Sequence, residues 1–191
     1  MTCSRMGEAV GLIGSRRRLW RELTGRQRSP ETSGPMRFGI NFEQVALTHY
    51  ETVLDASVAR VGFMVHPYHE WIGGSPDGLV MSHRDTPEVF CGGVEVKCPQ
   101  NMYSNFPPYY MTQVQGLMEV SNLPWWDFMA WTPDAIVIKR VQRSREYWDE
   151  LYPLLCEFWA YVEFDVEPPM YKRGFKPGIK TQAEISILHM E

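Results

Sequence analysis

Hydrophobic residues recur at two different spacings along the chain, and the spacing changes from one segment to the next. Spacings of three to four residues predict amphipathic helices over residues 3–25, 40–55, 107–122 and 144–163. Short alternating or continuous apolar runs predict strands over residues 59–66, 71–74, 79–81, 94–98, 126–131 and 135–141. We expect Pro153 to kink or split the last helix, because proline lacks the backbone N–H that a helix interior uses.

The order of these elements is helices, strands, a helix, strands and a helix. Such an order is typical of an α/β or α+β fold in which helices flank a mixed central sheet. The 191 residues are enough for one domain with a full hydrophobic core. We therefore predict a single domain over residues 1–167, followed by a loosely ordered tail over residues 168–191.

Composition disfavours several classes of protein. No apolar stretch approaches the roughly 18 residues of a membrane span, and no apolar signal-peptide core is present, so we expect an intracellular protein in an unspecified compartment. The four scattered cysteines form no C-x-x-C pair, which disfavours a zinc site or an iron–sulfur cluster and favours free thiols. The net charge of −4 means that any binding to nucleic acid must come from local patches.

Basic residues cluster in the first helical segment, at Arg16, Arg17, Arg18 and Arg21. They fit either a solvated helix face or a contact with a DNA backbone, and the sequence does not choose between the two. Acidic residues interrupt the cluster at Glu8 and Glu22, which argues against a transit peptide.

Residues suited to chemistry are concentrated between Ser75 and Lys97. The turn Ser75-Pro76-Asp77-Gly78 favours a defined conformation that aims the carboxylate of Asp77. Further along, Glu95 and Lys97 alternate with apolar residues, as in a strand with one buried face. Both side chains therefore point to the same side of that strand, about 6.5–7 Å apart.

Two carboxylates beside a lysine are an arrangement suited to metal-dependent hydrolysis of phosphodiester bonds. Mg²⁺ prefers oxygen ligands and keeps several waters, so Asp77, Glu95 and the backbone carbonyl of Val96 could hold it. Lys97 could then orient the attacking water or help to deprotonate it. The same residues also fit an ordinary Asp-Gly turn and a solvated edge strand, and the pattern alone leaves both interpretations open.

Other chemistries have weaker support. The sequence contains neither a G-x-S-x-G motif nor a P-loop. His66 and His69 could bind a metal or phosphate, but capping of their own loop is the simpler role. Glu43 taken alone is a favourable acid near the start of a helix.

A set of ordered motifs extends over residues 2–165. It comprises residues 2–4, 19–25, 38–43 with Ala46 and 50–51, 75–79 (Ser-Pro-Asp-Gly-Leu), 93–99 (Gly-Val-Glu-Val-Lys-Cys-Pro) and 110–115. Together these motifs resemble the phage lambda exonuclease family, also called YqaJ-type viral recombinases, within the PD-(D/E)xK nucleases. The resemblance implies a restriction-endonuclease-like fold and a deoxyribonuclease that digests one strand of linear double-stranded DNA from 5′ to 3′.

The resemblance also implies a metal centre. Glu43 would join Asp77, Glu95 and the Val96 carbonyl in a two-metal mechanism with Mg²⁺, for which Mn²⁺ could substitute. Lys97 would position or activate the water.

Further residues receive roles by the same resemblance. Gln113 would orient the site from the following helix, and Ser4 and Ser75 would contact the terminal 5′ phosphate. Arg5 and Tyr110 would be additional DNA contacts. The phage relative implies a ring-shaped homotrimer, a single-strand annealing protein as partner, and a role in recombination or repair.

One departure from the family pattern concerns the 5′ end. The family has an arginine shortly before its Thr-Ala-Ser motif, whereas this chain reads Met1-Thr2-Cys3-Ser4. Either the sequence is truncated, Arg5 substitutes, or recognition of the 5′ end is weakened. An endonuclease with the same core, and a DNA-binding module with weakened catalysis, therefore stay open as alternatives.

Overall fold

The structure, a computed structural model, describes residues 1–28, 34–82, 89–103, 105–171 and 177–191, with only the backbone described over 34–41. A 3-10 turn at Cys3–Arg5 comes first. The helices are α1 (Met6–Ala9), α2 (Arg16–Leu23), α3 (Gly34–Leu54), α4 (Pro108–Ser121) and α5 (Arg145–Glu163). The strands are β1 (Val58–Ala59), β2 (Met64–Val65), β3 (Gly73–Gly74), β4 (Gly78–Met81), β5 (Phe90–Lys97), β6 (Trp125–Thr132), β7 (Ala135–Gln142) and β8 (Ile185–Met190).

Six of these strands form one mixed sheet in the order β1-β4-β5-β6-β7-β8. The central pair β5 and β6 runs parallel, and the remaining neighbours are antiparallel. A parallel pair needs a crossover connection, which α4 supplies. Strands β2 and β3 form a separate antiparallel ladder. The predicted mixed sheet flanked by helices is therefore confirmed.

Helices cover both faces of the sheet and divide the core into two layers. On one face, α4, α5 and the N-terminal helices pack against Trp126 and Phe128 of β6. On the other, α3 packs against Val94 and Val96 of β5. Because successive side chains of a strand point to opposite faces, this packing turns Glu95 and Lys97 toward the face that α4 covers.

A glycine allows the two central strands to pack around a large ring. Gly93 lies opposite Trp126 in the β5–β6 register. A Cβ atom at position 93 would lie 2.3 Å from the Trp126 indole, which is fully buried. The absence of a side chain at Gly93 thus makes room for the largest side chain in the core.

Two predicted elements are divided in the structure. The segment 3–25 contains the 3-10 turn, α1 and α2 rather than one helix, since Gly11 and Gly14 adopt positive φ values of 79° and 65° between α1 and α2. The predicted strand over residues 59–66 is also divided, because β1 pairs with β4 whereas β2 pairs with β3. Helix α3 begins at Gly34, earlier than predicted.

Pro153 does not split α5, which runs from Arg145 to Glu163 as one helix. Pro153 lies on the exposed side. The opposite side buries Leu151, Leu155 and Phe158 in the core. This burial offsets the loss of one backbone hydrogen bond at the proline.

The chain beyond residue 167 differs from the prediction of a loosely ordered tail. Residues 185–190 form β8, which pairs antiparallel with β7. Before it, the Glu150 carboxylate of α5 accepts hydrogen bonds from the backbone N–H groups of Lys180 and Thr181. The open edge of β7 offers backbone partners that no local pattern in the tail reveals. The domain boundary at residue 167 stays a prediction.

None of the helices in the described part of the chain is long and apolar enough to cross a membrane.

We expect Gly93→Ala to lower the free energy of unfolding by about 2–3 kcal/mol, because the new methyl group would displace the Trp126 indole. Urea denaturation followed by tryptophan fluorescence measures this change. Gly62→Ala is the matched control, since a Cβ at Gly62 meets no atom within 4 Å. Equal stability of the two variants would contradict this account of the core.

Candidate active site

The sheet register brings Asp77 and Glu95 together. Gly78 lies opposite Val94 in the antiparallel β4–β5 pair, so the next position along sets Asp77 across from Glu95. Oδ2 of Asp77 accepts a hydrogen bond of 2.7 Å from the backbone N–H of Val96. The segment before β4, which bends at Asp77, therefore aims the carboxylate of Asp77 at β5.

Glu95 is a deeply buried carboxylate, and one of its two oxygens accepts hydrogen bonds from neighbouring side chains. Only 2% of the residue is exposed. Its Oε1 accepts a 2.6 Å hydrogen bond from Nε2 of Gln113 on α4, and a second hydrogen bond from Nζ of Lys97. Its Oε2 is buried without a hydrogen-bond partner among the described residues. Buried carboxylate oxygens are normally satisfied, so this oxygen indicates a place for a cation or a water.

Lys97 lies between carboxylates and aromatic rings. Its ammonium group is bonded to Glu95 and lies 5.3 Å from the centre of the Tyr110 ring. Burial alone would lower the pKa of Lys97. The negative charges of Glu95 and Asp77 together outweigh this effect, so the pKa of Lys97 is raised above its ordinary value. Lys97 is therefore protonated at neutral pH and acts as a hydrogen-bond donor.

Burial and the adjacent charge of Glu95 raise the pKa of Asp77 from its ordinary 3.8 to about 7. The ammonium group of Lys97 and the hydrogen bond from Val96 act in the opposite direction. Two neighbouring carboxylates that repel each other are suited to a divalent cation, which would relieve the repulsion.

Glu43 lies near this pair but is occupied by another partner. It projects from α3, and its Oε1 forms a 2.8 Å ion pair with Nη1 of Arg60. Its charge contributes to raising the pKa values of Asp77 and Cys98, which places it within electrostatic range of the carboxylate pair. The structure thus brings Asp77 and Glu95 together, with Glu43 within electrostatic range of Asp77 but paired with Arg60.

The donor set fits Mg²⁺. Within the described residues, no three His, Cys, Asp or Glu side chains are close enough to form a ready-made cation site. The facing carboxylates of Asp77 and Glu95, with the unpartnered Oε2, nevertheless supply the oxygen ligands that Mg²⁺ prefers. The remaining positions would be filled by water, and the ligand role of the Val96 carbonyl stays a prediction.

Ser4 and Ser75 are brought to the same part of the surface. The backbone N–H of Gly73 donates to the carbonyl of Met1, and Thr2 forms a parallel bridge with Gly73. Cys3 and Gly74 then touch, since a Cβ at Gly74 would lie 3.2 Å from the Cys3 sulfur. The two serines come next along these adjacent segments, and both are exposed. Phosphate contact by either serine stays a prediction.

Arg5 is held by acids within the protein. Its Nη2 contacts Glu8 at 3.1 Å and Glu22 at 2.7 Å. Arg18 contacts the same two carboxylates. A contact between Arg5 and DNA, which also stays a prediction, would therefore compete with these ion pairs.

The other arginines of α2 also have internal partners. Arg16 is buried and paired with Glu157, while Arg21 is paired with Glu167. Arg17 donates to the backbone carbonyl of Pro168. These arginines tie α2 to α5 and to the segment after it, which neither interpretation of the cluster anticipated.

The two histidines of the β2–β3 loop have partners within the protein, His66 in its own loop and His69 on α5. Nδ1 of His66 accepts a 3.1 Å hydrogen bond from the backbone N–H of Tyr68, and Nδ1 of His69 lies 3.2 Å from the Tyr152 hydroxyl. The loop-capping role of His66 is confirmed.

Two residues near the site were missed by the sequence interpretation. The Tyr103 hydroxyl lies 3.0 Å from the Tyr110 hydroxyl, beside Lys97. Arg60 pairs with Glu43. No local pattern marks either residue, because both acquire their partners through tertiary packing.

Comparisons with known proteins identify the family and the fold. Residues 1–124 match the model of the YqaJ-like viral recombinase domain. An alkaline exonuclease (LHK-Exo) from Laribacter hongkongensis superimposes with a TM-score of 0.74 and 26% identity, over 87% of this chain and 89% of the exonuclease. The same enzyme has also been solved in complex with dAMP.

A phage-related exonuclease from Haemophilus somnus 129PT has the same fold, with a TM-score of 0.66 and 16% identity over 86% of this chain and 93% of that one. A search of the curated proteins found no match. Since the family model covers well over half of the sequence, the chain belongs to the YqaJ-like viral recombinase family.

Proposed function

We propose that this protein is a Mg²⁺-dependent deoxyribonuclease that digests linear double-stranded DNA from the 5′ end. The observation that carries the proposal is the buried Glu95, whose free Oε2 accompanies a facing Asp77 and a protonated Lys97. Membership of a recombinase family and the 26% identity to an alkaline exonuclease support the same class of reaction.

The carboxylates would hold the metal. Asp77, Glu95, Glu43 and the Val96 carbonyl are the proposed ligands of two Mg²⁺ ions, with Mn²⁺ as a substitute. Bound there, the ions would offset the phosphate charge and lower the pKa of a coordinated water. Gln113 donates a hydrogen bond to Oε1 of Glu95, which would leave Oε2 available to a metal.

Lys97 would orient the reacting groups as a donor. In the metal-free protein the pKa of Lys97 is raised, so its ammonium group is protonated. As a donor it would bind the attacking water or a phosphate oxygen. The Tyr110 ring beside it restricts where the ammonium group can lie.

Directionality would come from the serines. The hydroxyls of Ser4 and Ser75 can donate to the terminal 5′ phosphate, and Ser75 lies two residues before Asp77. Bond cleavage at a fixed distance from this phosphate would release nucleotides from the 5′ end. A homotrimer, a single-strand annealing partner and a role in recombination or repair complete the proposal, with family membership as their support.

We expect Asp77→Ala and Lys97→Ala to lower the rate of digestion of a 5′-phosphorylated linear duplex at least about 100-fold in Mg²⁺. Release of acid-soluble nucleotides measures this rate. Asp149→Ala, which removes an exposed carboxylate from α5, is the control and should keep full activity. Undiminished activity of both site variants would contradict the assignment of Asp77 and Lys97 to the active site. Cutting of closed circular DNA would favour an endonuclease instead.

Gln113→Ala should raise the Mg²⁺ concentration needed for half-maximal activity by about tenfold. The reason is that Glu95 loses the hydrogen bond that orients it, while the metal ligands themselves remain. Rates measured across a Mg²⁺ titration test this expectation, with saturating Mg²⁺ restoring much of the activity. A loss of activity without any change in Mg²⁺ dependence would show that Gln113 does not act through Glu95.

Without divalent metal, Asp77→Asn should gain stability relative to the wild type as the pH rises from 4 to 8. The folded protein holds the Asp77 proton up to pH about 7, whereas the unfolded chain releases it near its ordinary value of 3.8. The wild type therefore loses free energy of unfolding within this window, by about 2–4 kcal/mol, and the variant does not. Denaturation curves in EDTA at several pH values measure the difference.

Asp149→Asn serves as the control for this pH series, since that carboxylate is exposed. Curves for wild type and Asp77→Asn that stay parallel from pH 4 to 8 would show that Asp77 titrates normally.

A further inference from the structure

Arg60 lies at the edge of the proposed site. It follows β1, in which Ala59 lies opposite Leu79 of β4, so the next position sets Arg60 across from Gly78, the neighbour of Asp77. Its Nη1 contacts Oε1 of Glu43 at 2.8 Å, and its Nη2 donates to the side-chain carbonyl of Gln44 at 2.9 Å. About half of its side chain, 52%, is exposed.

Glu43 would have two competing cations, Arg60 and a divalent ion, once such an ion is bound. Its carboxylate is paired with Arg60, yet it is near enough to Asp77 to contribute to raising that pKa. A divalent ion bound between Asp77 and Glu95 would attract Glu43 and repel the guanidinium. An exposed ion pair contributes little net stability, so the exchange of partners requires little energy.

We propose that Arg60 exchanges Glu43 for a DNA backbone phosphate when the divalent metal binds. This inference rests on the proposed function and assigns Arg60 as the residue that couples metal loading to DNA binding. A guanidinium matches a phosphate with two parallel hydrogen bonds, and the exposed position of Arg60 beside Asp77–Gly78 leaves it accessible to DNA.

The contribution of Arg60 to DNA binding then depends on the metal. In the metal-free protein, Arg60 is occupied by Glu43 and adds little to DNA affinity. In the metal-loaded protein it is free to contact a phosphate. By linkage, DNA that captures Arg60 also strengthens metal binding, because it removes the competitor for Glu43.

The test measures the affinity of a fluorescent 5′-phosphorylated duplex for wild type and Arg60→Ala, in EDTA and in Ca²⁺. Ca²⁺ takes the same oxygen ligands as Mg²⁺, and gel electrophoresis of each sample checks that the duplex is intact. We expect Arg60→Ala to weaken binding about 5- to 10-fold in Ca²⁺ and less than about 2-fold in EDTA. In Ca²⁺ the slope of log affinity against log salt should fall by about 1.

Two further variants sharpen the result. In a Glu43→Gln background Arg60 has lost its acidic partner, so Arg60→Ala should weaken binding in EDTA as well. Arg26→Ala is the matched control, since Arg26 is also exposed and paired with a carboxylate, that of Asp165. It should change affinity by the same small factor in EDTA and in Ca²⁺.

An equal loss of affinity for Arg60→Ala in EDTA and Ca²⁺ would overturn the exchange and leave Arg60 as a constant surface charge. In that case the wild type would still digest DNA with Mg²⁺, so the proposed function would stand. A wild type that neither binds nor digests DNA with any divalent ion would overturn both proposals together.

Discussion

The burial of Glu95 is the constraint on which the site depends. A carboxylate that is almost fully removed from water is costly unless cations and hydrogen-bond donors surround it. Lys97 and Gln113 both donate hydrogen bonds to Oε1. Lys97 lies on β5, the strand of Glu95 itself, and Gln113 lies on α4, the helix packed over that strand. The position of α4 on the sheet therefore matters to Glu95, since moving the helix would remove the hydrogen bond from Gln113 and leave Lys97 as the partner on the strand itself.

The surrounding packing keeps these groups in place. Gly93 lets β5 lie close beside β6 despite the buried Trp126 ring. A wall of rings that includes Tyr103, Tyr110 and Phe128 stands on the Lys97 side. Rings of this size have few rotamers available in a dense core, so the ammonium group has few alternative positions. Rigid support of this kind is what a site needs when its chemistry depends on orientation.

Features that depend on neighbouring residues could be predicted from the sequence, whereas features that depend on contacts between distant segments could not. The common side of Glu95 and Lys97 follows from strand periodicity, and the bend that aims Asp77 follows from its Ser-Pro-Asp-Gly sequence, so both could be predicted from local patterns. Gln113 and Glu43 could be assigned only by resemblance, because helix spacing does not tell which residue a helix brings to a neighbouring strand. The pairing of Arg60 with Glu43 depends on how β1 and α3 are placed relative to each other, which no local signal specifies. Strand β8 was missed for the same reason, as an edge strand takes its register from a distant partner.

The connection of β5 to β6 through α4 has a consequence for how the protein folds. Asp77, Glu95, Lys97 and Gln113 lie on one continuous stretch of chain, which runs from the segment before β4 through β5 to α4. Closing short loops costs little entropy, so this stretch can assemble without waiting for the chain ends to meet. Strand β8 docks across a longer separation and has several exposed apolar side chains. Transient opening of that edge can therefore occur as a separate, low-energy fluctuation while the carboxylates keep their geometry.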